Sequence, residues 1–171
     1  MKNLNEKFKE KLDNFFDWVK GAELVELKTC NVYEDPVRPE LDIKFRTEFG
    51  RKIYGVKYKK EICAIMCFGF TNEIPKTVEE LDKMTKDAHL QSALRDQKVG
   101  KIAIAYTVWS KKKGGGKLIV KEVFRKIKKS NHLNRLGTLS PLTEMARNFH
   151  LNNGAFELQV NEKTQNFEYK I

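Results

Sequence analysis

The segment Lys111-Lys112-Lys113-Gly114-Gly115-Gly116-Lys117 sets three consecutive glycines and four lysines between an apolar stretch and an amphipathic one. Glycine tolerates positive φ and has no side chain, so successive backbone N–H groups can converge on an anion where a helix begins and its first amides lack partners. The chemistry this suggests is the holding of phosphate. A solvated, flexible turn is the competing reading of Gly-Gly-Gly, and the elements on either side decide against it. Three histidines and one Ser-Pro step are the other reactive candidates. His150 can donate or accept a proton near neutral pH, or it can simply be a half-exposed helix residue. Ser140 precedes Pro141, an arrangement that a helix entry would also explain, with Ser as cap and Pro in the first turn. His89 and His132 have no supporting pattern and read as surface residues, as do Glu73 and Glu144, the two carboxylates that could serve as a base through water.

These groups need a frame. Ile102 to Trp109 is nearly continuous apolar sequence, as expected of a central strand covered on both faces. Leu118, Ile119, Val123, Phe124 and Ile127 fall on one face of a helix that starts at the glycines. At the N-terminus, residues 3–20 align Leu4, Phe8, Leu12, Phe15, Phe16 and Val19 in a helical stripe, with Asn3 or Asn5 as cap and Gly21 as stop. Because Glu6, Glu10, Asp13 and Asp17 interrupt its basic face, the stripe is expected to pack within the chain rather than on a membrane. Strands follow over Glu23–Tyr33, Leu41–Phe49, Lys52–Tyr58 and Glu61–Phe70, and short links at Phe49-Gly50-Arg51 and Lys59-Lys60 predict hairpins. Thr77-Val78-Glu79-Glu80 opens a helix running to about Leu94. A short strand at Leu136–Leu139, a helix from Leu142 to Leu151 closed by Asn152-Asn153-Gly154, and strands at Ala155–Val160 and Asn166–Lys170 complete the chain.

The 171 residues suit one domain with a sizeable core, of class α/β (α+β) with a mixed, mainly antiparallel sheet. A net charge of +10 points to an anionic partner: nucleic acid, a membrane surface or a phosphorylated cofactor. Three cysteines without zinc-type spacing read as reduced thiols, with Cys63 and Cys67 as small core residues on a strand. No apolar run reaches the roughly 20 residues of a membrane span, and the N-terminus lacks a secretory apolar region. A soluble, cytoplasmic protein is expected.

From Lys101 to about Phe156 the chain resembles the GNAT (GCN5-related N-acetyltransferase) superfamily. There a central strand leads to a loop Arg/Gln-x-x-Gly-x-Gly/Ala, which Lys111–Gly116 resembles with Lys in the first place. A second block follows on the helix after the next strand, where Thr143, Ala146, Phe149, His150, Gly154 and Ala155 occupy the corresponding places. The resemblance extends to small acyltransferase-like proteins of bacteriophages through Thr138–Leu142 and Asn152–Ala155. It implies acetyl-CoA or another acyl-CoA as cofactor. The main chain of Tyr106 to Trp109, Val108 included, would pair with the pantetheine arm. Gly114, Gly115 and Gly116 would hold the pyrophosphate, with Lys111, Lys112, Lys113 and Lys117 beside it. His150 stands where the family often has a tyrosine that protonates the departing thiolate. On this reading Gly115→Glu should abolish CoA binding without unfolding the protein. The family's two substrate-shaping helices after the first strand are not visible, and the N-terminal helix and residues 77–94 stand in for them.

Thr138-Leu139-Ser140-Pro141-Leu142 is also similar to the Ser-Pro segment of malonyl-CoA decarboxylases, in which a serine and a downstream histidine handle the malonyl group. Ser140 matches, whereas the tail after Asn153 holds no counterpart of that histidine. A non-enzymatic competitor is a nucleic-acid-binding protein using Lys111–Lys113, Lys117, Lys121, Arg125, Lys126, Lys128 and Lys129 with Tyr106 and Trp109. No nucleic-acid motif supports it, and such a charge run is commonly a solvated helix face. A third reading keeps CoA binding without turnover.

Overall fold

A computed structural model describes residues 4–170 of the chain. In chain order the elements are α1 (Leu4–Gly21), β1 (Glu23–Leu27), a 3-10 turn (Val32–Glu34), α2 (Ile43–Thr47), β2 (Lys52–Tyr58), β3 (Glu61–Thr71), α3 (Val78–Arg95), β4 (Ile102–Ser110), α4 (Gly115–Lys128), β5 (Arg135–Thr138), β6 (Ser140–Pro141), α5 (Glu144–Asn152), β7 (Ala155–Val160) and β8 (Thr164–Tyr169).

Local chemistry accounts for most of them. In the β2–β3 hairpin Lys59 and Lys60 both take positive φ, the geometry that matches the twist of the strands they join. Thr77 Oγ1 accepts from Glu80 N at 3.1 Å, while the Glu80 carboxylate reaches back to the N–H of Lys76, so the start of α3 is capped from both sides. The sheet order is β1-β2-β3-β4-β5-β8-β6, with β7 on β8. β1 to β4 form an antiparallel meander, of which the β2–β3 hairpin is the part expected from the Lys59-Lys60 link. β5 then joins β4 in parallel after the α4 crossover, and the remaining pairs are antiparallel.

Two apolar clusters cover the sheet. On one face α4 packs through Leu118, Ile119, Val123 and Ile127 against Ala64, Met66, Ala103 and Ala105. On the other, Ile53, Ile65, Cys67, Ile104, Tyr106 and Trp109 meet Leu81 of α3 and partly buried Leu41, Ile43 and Phe45. A bulge in the β3–β4 register leaves Tyr106 as the extra residue between Ala105 and Thr107, the partners of Phe68 and Cys67. Both cysteines predicted to be core residues are buried.

Three expectations change. Leu41–Phe49 is not a strand: Asp42 accepts from Phe45 N at 2.7 Å and caps the one-turn helix α2, so Phe49-Gly50-Arg51 joins a helix to β2 and makes no hairpin. Leu41, Ile43 and Phe45 still reach one core, which a two-residue alternation over so short a run cannot distinguish from a strand. Glu23–Tyr33 is a strand only to Leu27. The apolar stripe of α1 does not pack within the chain: Leu4, Phe8, Leu12, Phe15 and Phe16 are exposed, and only Trp18 is buried, with Val19 half-buried beside it. The sheet face that could receive them is already covered by α4. Asn5 lies inside α1 and Asn3 lies outside the described residues.

Beneath β4 a polar cluster is buried with the apolar one. Arg46 pairs with Asp35 at 2.9 Å and lies 3.5 Å from the Cys67 sulfur. Cys67 in turn hydrogen-bonds Cys30, and this bond, with the Arg46 charge nearby, lowers the Cys30 thiol to about 7. Burial pushes Cys67 well above the usual thiol range. In the folded protein, alkylation by iodoacetamide is therefore expected at Cys30, with a rate that rises through a midpoint near pH 7. Cys67 should stay unmodified until the protein is denatured. Peptide mass mapping across pH 5.5–9 checks both, and a Cys30 midpoint near 9 would contradict the assigned environment.

Candidate active site

β4 and β5 run side by side only from Ile102 and Arg135 to Ala105 and Thr138, and one further bond, Leu139 N to Ala105 O, closes the pairing. Past that point the strands part. The chain turns through Ser140 and Pro141 onto β8, while β4 continues to Ser110 with its β5-side edge uncovered by another strand. The fork opens into a cavity of about 510 Å³, large enough for a small organic ligand. Its walls are the 106–110 edge of β4, Pro36 and Val37, Gly116 at the start of α4, and Ser140, Phe149 and His150.

Of the residues predicted from sequence, the structure brings together Tyr106, Val108, Gly116, Ser140 and His150. The glycines divide into different roles. Gly114 caps α4 in the left-handed conformation, with φ 82° against Trp18 of α1. Gly115 is buried where a Cβ would collide with the Ser110 hydroxyl, so it sets how closely α4 approaches β3 and β4. Gly116 alone faces the cavity. The lysines lie outside its lining: Lys111 pairs with Glu34 at 2.5 Å, Lys112 stacks over Tyr58 and Trp18 at 4.8 and 5.2 Å, and Lys113 and Lys117 are exposed.

Ser140 and His150 are in direct contact. His150 lies in the last turn of α5, whose N-cap is Thr143 rather than Ser140, and its Nε2 lies 2.9 Å from Ser140 Oγ. Its Nδ1 lies 2.9 Å from the Tyr169 hydroxyl, and Ser140 Oγ lies 3.0 Å from Thr138 Oγ1, which accepts from Phe167 N. The imidazole is stacked on the Phe167 ring at 5.1 Å and is only 5% exposed. Burial lowers its pKa to about 4 and raises that of Tyr169, so both are neutral at pH 7. Two proton arrangements satisfy every member: donation from Tyr169 through His150 and Ser140 to Thr138, or the reverse order. Ser140 can thus give up one proton and regain another on the cavity side while His150 and Tyr169 stay neutral.

Sequence reading identified Ser140 and His150 separately and did not identify Tyr169 or Thr138 as their partners; the only signal was that both lie in predicted strands. Glu73 and Glu144 are exposed, as is His89. His132 is half-buried, with Nε2 3.1 Å from Gly100 O, and together with His89 lines a separate cavity of about 310 Å³. Among the described residues no cluster of His, Cys, Asp or Glu could hold a metal, and no helix is long and apolar enough to cross a membrane.

No protein-family model matches the chain, and no curated protein sequence matches it. Solved structures do. GphF, a GNAT-like decarboxylase in complex with isobutyryl-CoA, aligns with a TM-score of 0.65 at 8% identity, over 86% of this chain and 98% of its own. A Bacillus subtilis acetyltransferase in complex with CoA aligns with a TM-score of 0.58 at 12% identity, over 88% and 97%. The chain has the GNAT fold. Malonyl-CoA decarboxylase from Cupriavidus metallidurans aligns at a TM-score of 0.52 and 21% identity over 81% of this chain, which spans only 36% of that longer protein. At these identities the likeness is one of fold. The GNAT sheet here lacks long helices between β1 and β2, as the sequence implied; the 3-10 turn and one-turn α2 occupy that stretch.

Proposed function

We propose that this protein is an acyl-CoA-dependent enzyme of the acyltransferase type, acting in the cytoplasm on an amine acceptor yet to be identified. The observation that carries the reading is the uncovered edge of β4, facing a cavity that ends on the Ser140–His150–Tyr169 chain. An extended pantetheine arm can add to such an edge through main-chain hydrogen bonds, as a peptide strand does. Val108 is the position for this: Thr107 and Trp109 turn their main-chain groups toward Cys67 and Ile65 of β3, and Tyr106 O already accepts from Arg38. The pyrophosphate would meet the first turn of α4 at Gly116, with Lys113 and Lys117 in reach of the outer phosphates. At the inner end an amine attacks the thioester carbonyl and the C–S bond breaks; Ser140, held by His150, gives its proton to the departing thiolate and takes up the proton that the amine loses, so the chain ends as it began.

A second reading is favoured by one observation. His150, which precedes Asn153, stands against Ser140 and fills the place for which the tail offered no histidine. The same pair could hold a malonyl group while CO2 leaves, and then protonate the resulting carbanion at carbon.

Both readings are tested by one set of measurements. A thermal-shift titration with free CoA, acetyl-CoA, malonyl-CoA and a short RNA should raise the midpoint for the CoA series. Conversion of malonyl-CoA to acetyl-CoA without an amine would select decarboxylation. Acyl transfer to an amine panel, with malonyl-CoA left intact, would select the transferase. A shift with RNA alone would overturn both.

A further inference from the structure

Three arginines are buried in this protein, and two have a carboxylate. Arg46 pairs with Asp35 and Arg51 with Asp82, each at 2.9 Å. Arg38, 8% exposed, has no carboxylate at ion-pair distance among the described residues. Its guanidinium instead bridges the fork: Nε donates to Tyr106 O at 2.9 Å and Nη2 to Leu139 O at 3.1 Å, the two carbonyls where β4 and the chain leading to Ser140 separate. The loop carrying it is held from below. Asp35 Oδ1 accepts from Val37 N, Arg38 N and Thr107 Oγ1, while its charge is taken up by Arg46. Burial lowers the Arg38 pKa, yet a guanidinium stays protonated at any pH the protein meets. Two of its five N–H donors are spent on neutral carbonyls, and the carboxylates that act on its charge, Glu40, Asp35 and Glu79, do so from beyond ion-pair distance.

A buried cation of this kind favours an anion nearby, because desolvation has removed what water would have given it. The cavity offers nothing to oppose one, since no Asp or Glu is in its lining. Leu139, which Arg38 grips, is the residue before Ser140. The positive charge therefore stands behind the inner wall, where the acyl end of a thioester would lie. We propose that Arg38 is a specificity-determining residue that selects acyl groups ending in a carboxylate, the half-thioesters of short dicarboxylic acids. This rests on the acyl-CoA reading of the site and holds for transfer and decarboxylation alike.

The test uses matched thioesters that differ in the terminal group: malonyl-CoA against propionyl-CoA, and succinyl-CoA against butyryl-CoA. Dissociation constants come from rapid-mixing fluorescence of Trp109 in the cavity wall, read before turnover, with free CoA as reference. In the wild type at least one acidic member should bind about 10- to 100-fold more tightly than its neutral partner, the range for a single charge acting across a few ångströms of protein. In Arg38→Gln that ratio should fall to one or below, with free CoA bound as before; a loss of packing alone would weaken both members of a pair equally. Neutral members binding as well as acidic ones in the wild type would overturn the assignment, and this arm needs no variant to fold. A ratio that persists in Arg38→Gln would overturn it as well. If free CoA and every thioester fail to bind, the acyl-CoA reading falls and takes this inference with it.

Discussion

Gly116→Glu is expected to weaken CoA binding by at least about 100-fold while the protein remains folded. Gly116 faces the cavity in the first turn of α4, where unpaired amides and the positive end of the helix favour a phosphate. A glutamate there replaces that field with a like charge for the phosphate to meet. The new Cβ would stand 3.0 Å from Cε2 of Phe149, a half-buried ring with room to give, and glutamate suits a helix better than glycine. Calorimetric titration with CoA and a thermal melt read the two halves separately. Gly115→Glu, the substitution the sequence pattern recommends, is a poor probe. Even Gly115→Ala should cost about 1–3 kcal/mol of stability, because its Cβ meets the Ser110 hydroxyl and lies 3.3 Å from Ala64 Cβ, both on the strands that α4 packs against. Undiminished CoA affinity in Gly116→Glu would remove the cradle from α4 altogether.

His150 should govern how stability depends on acid. Its pKa is about 4 in the folded protein, against 6.5 for an unburied imidazole. The unfolded chain therefore takes up a proton as pH falls through 6.5, and the folded one resists until about 4. Stability contributed by the neutral ring is fully present above pH 6.5 and is lost between 6.5 and 4, by an amount on the order of 3 kcal/mol. Urea melts at half-unit intervals across that window should show the decline in wild type and a flatter profile in His150→Asn. For turnover the same shift has the opposite consequence. Because the ring is already neutral at pH 7, activity should not fall through pH 6.5 on its account. His150→Phe should nonetheless lower kcat by about 10²- to 10⁴-fold, the usual worth of a positioned proton donor, while leaving the CoA dissociation constant near its original value. A variant that turns over at the wild-type rate would leave the Ser140–Tyr169 chain without a catalytic part.

How legible the molecule was in its sequence depends on the range of the forces involved. β4, α4, α3 and the β2–β3 hairpin follow from apolar periodicity, a capping pair and a two-residue turn, all interactions between neighbours in the chain. α2 was misread because five residues alternating in polarity satisfy a strand, and the Asp42 cap that decides for helix is a single hydrogen bond. The stripe on α1 has the helical period, but whether such a stripe is covered depends on what else competes for the sheet face. The candidate site shows the same division. Glycines before a helix announce an anion-holding turn, yet which of the three faces the cavity is set by contacts with Trp18, Ser110 and Phe149, residues from three other elements.

The sequence by itself determined the order of elements, the strand that leads into a glycine-opened helix, and the reactive side chains available. Only the tertiary structure decided which of those side chains act on one another. Ser140, His150 and Tyr169 lie 10 and 19 residues apart and meet because α5 folds back over β8. Arg38 reaches carbonyls 68 and 101 residues away because β4 and β5 part at one point. Burial then does what no local pattern records: it holds the histidine neutral and leaves the arginine charged, since desolvation shifts a weak base readily and a guanidinium hardly at all.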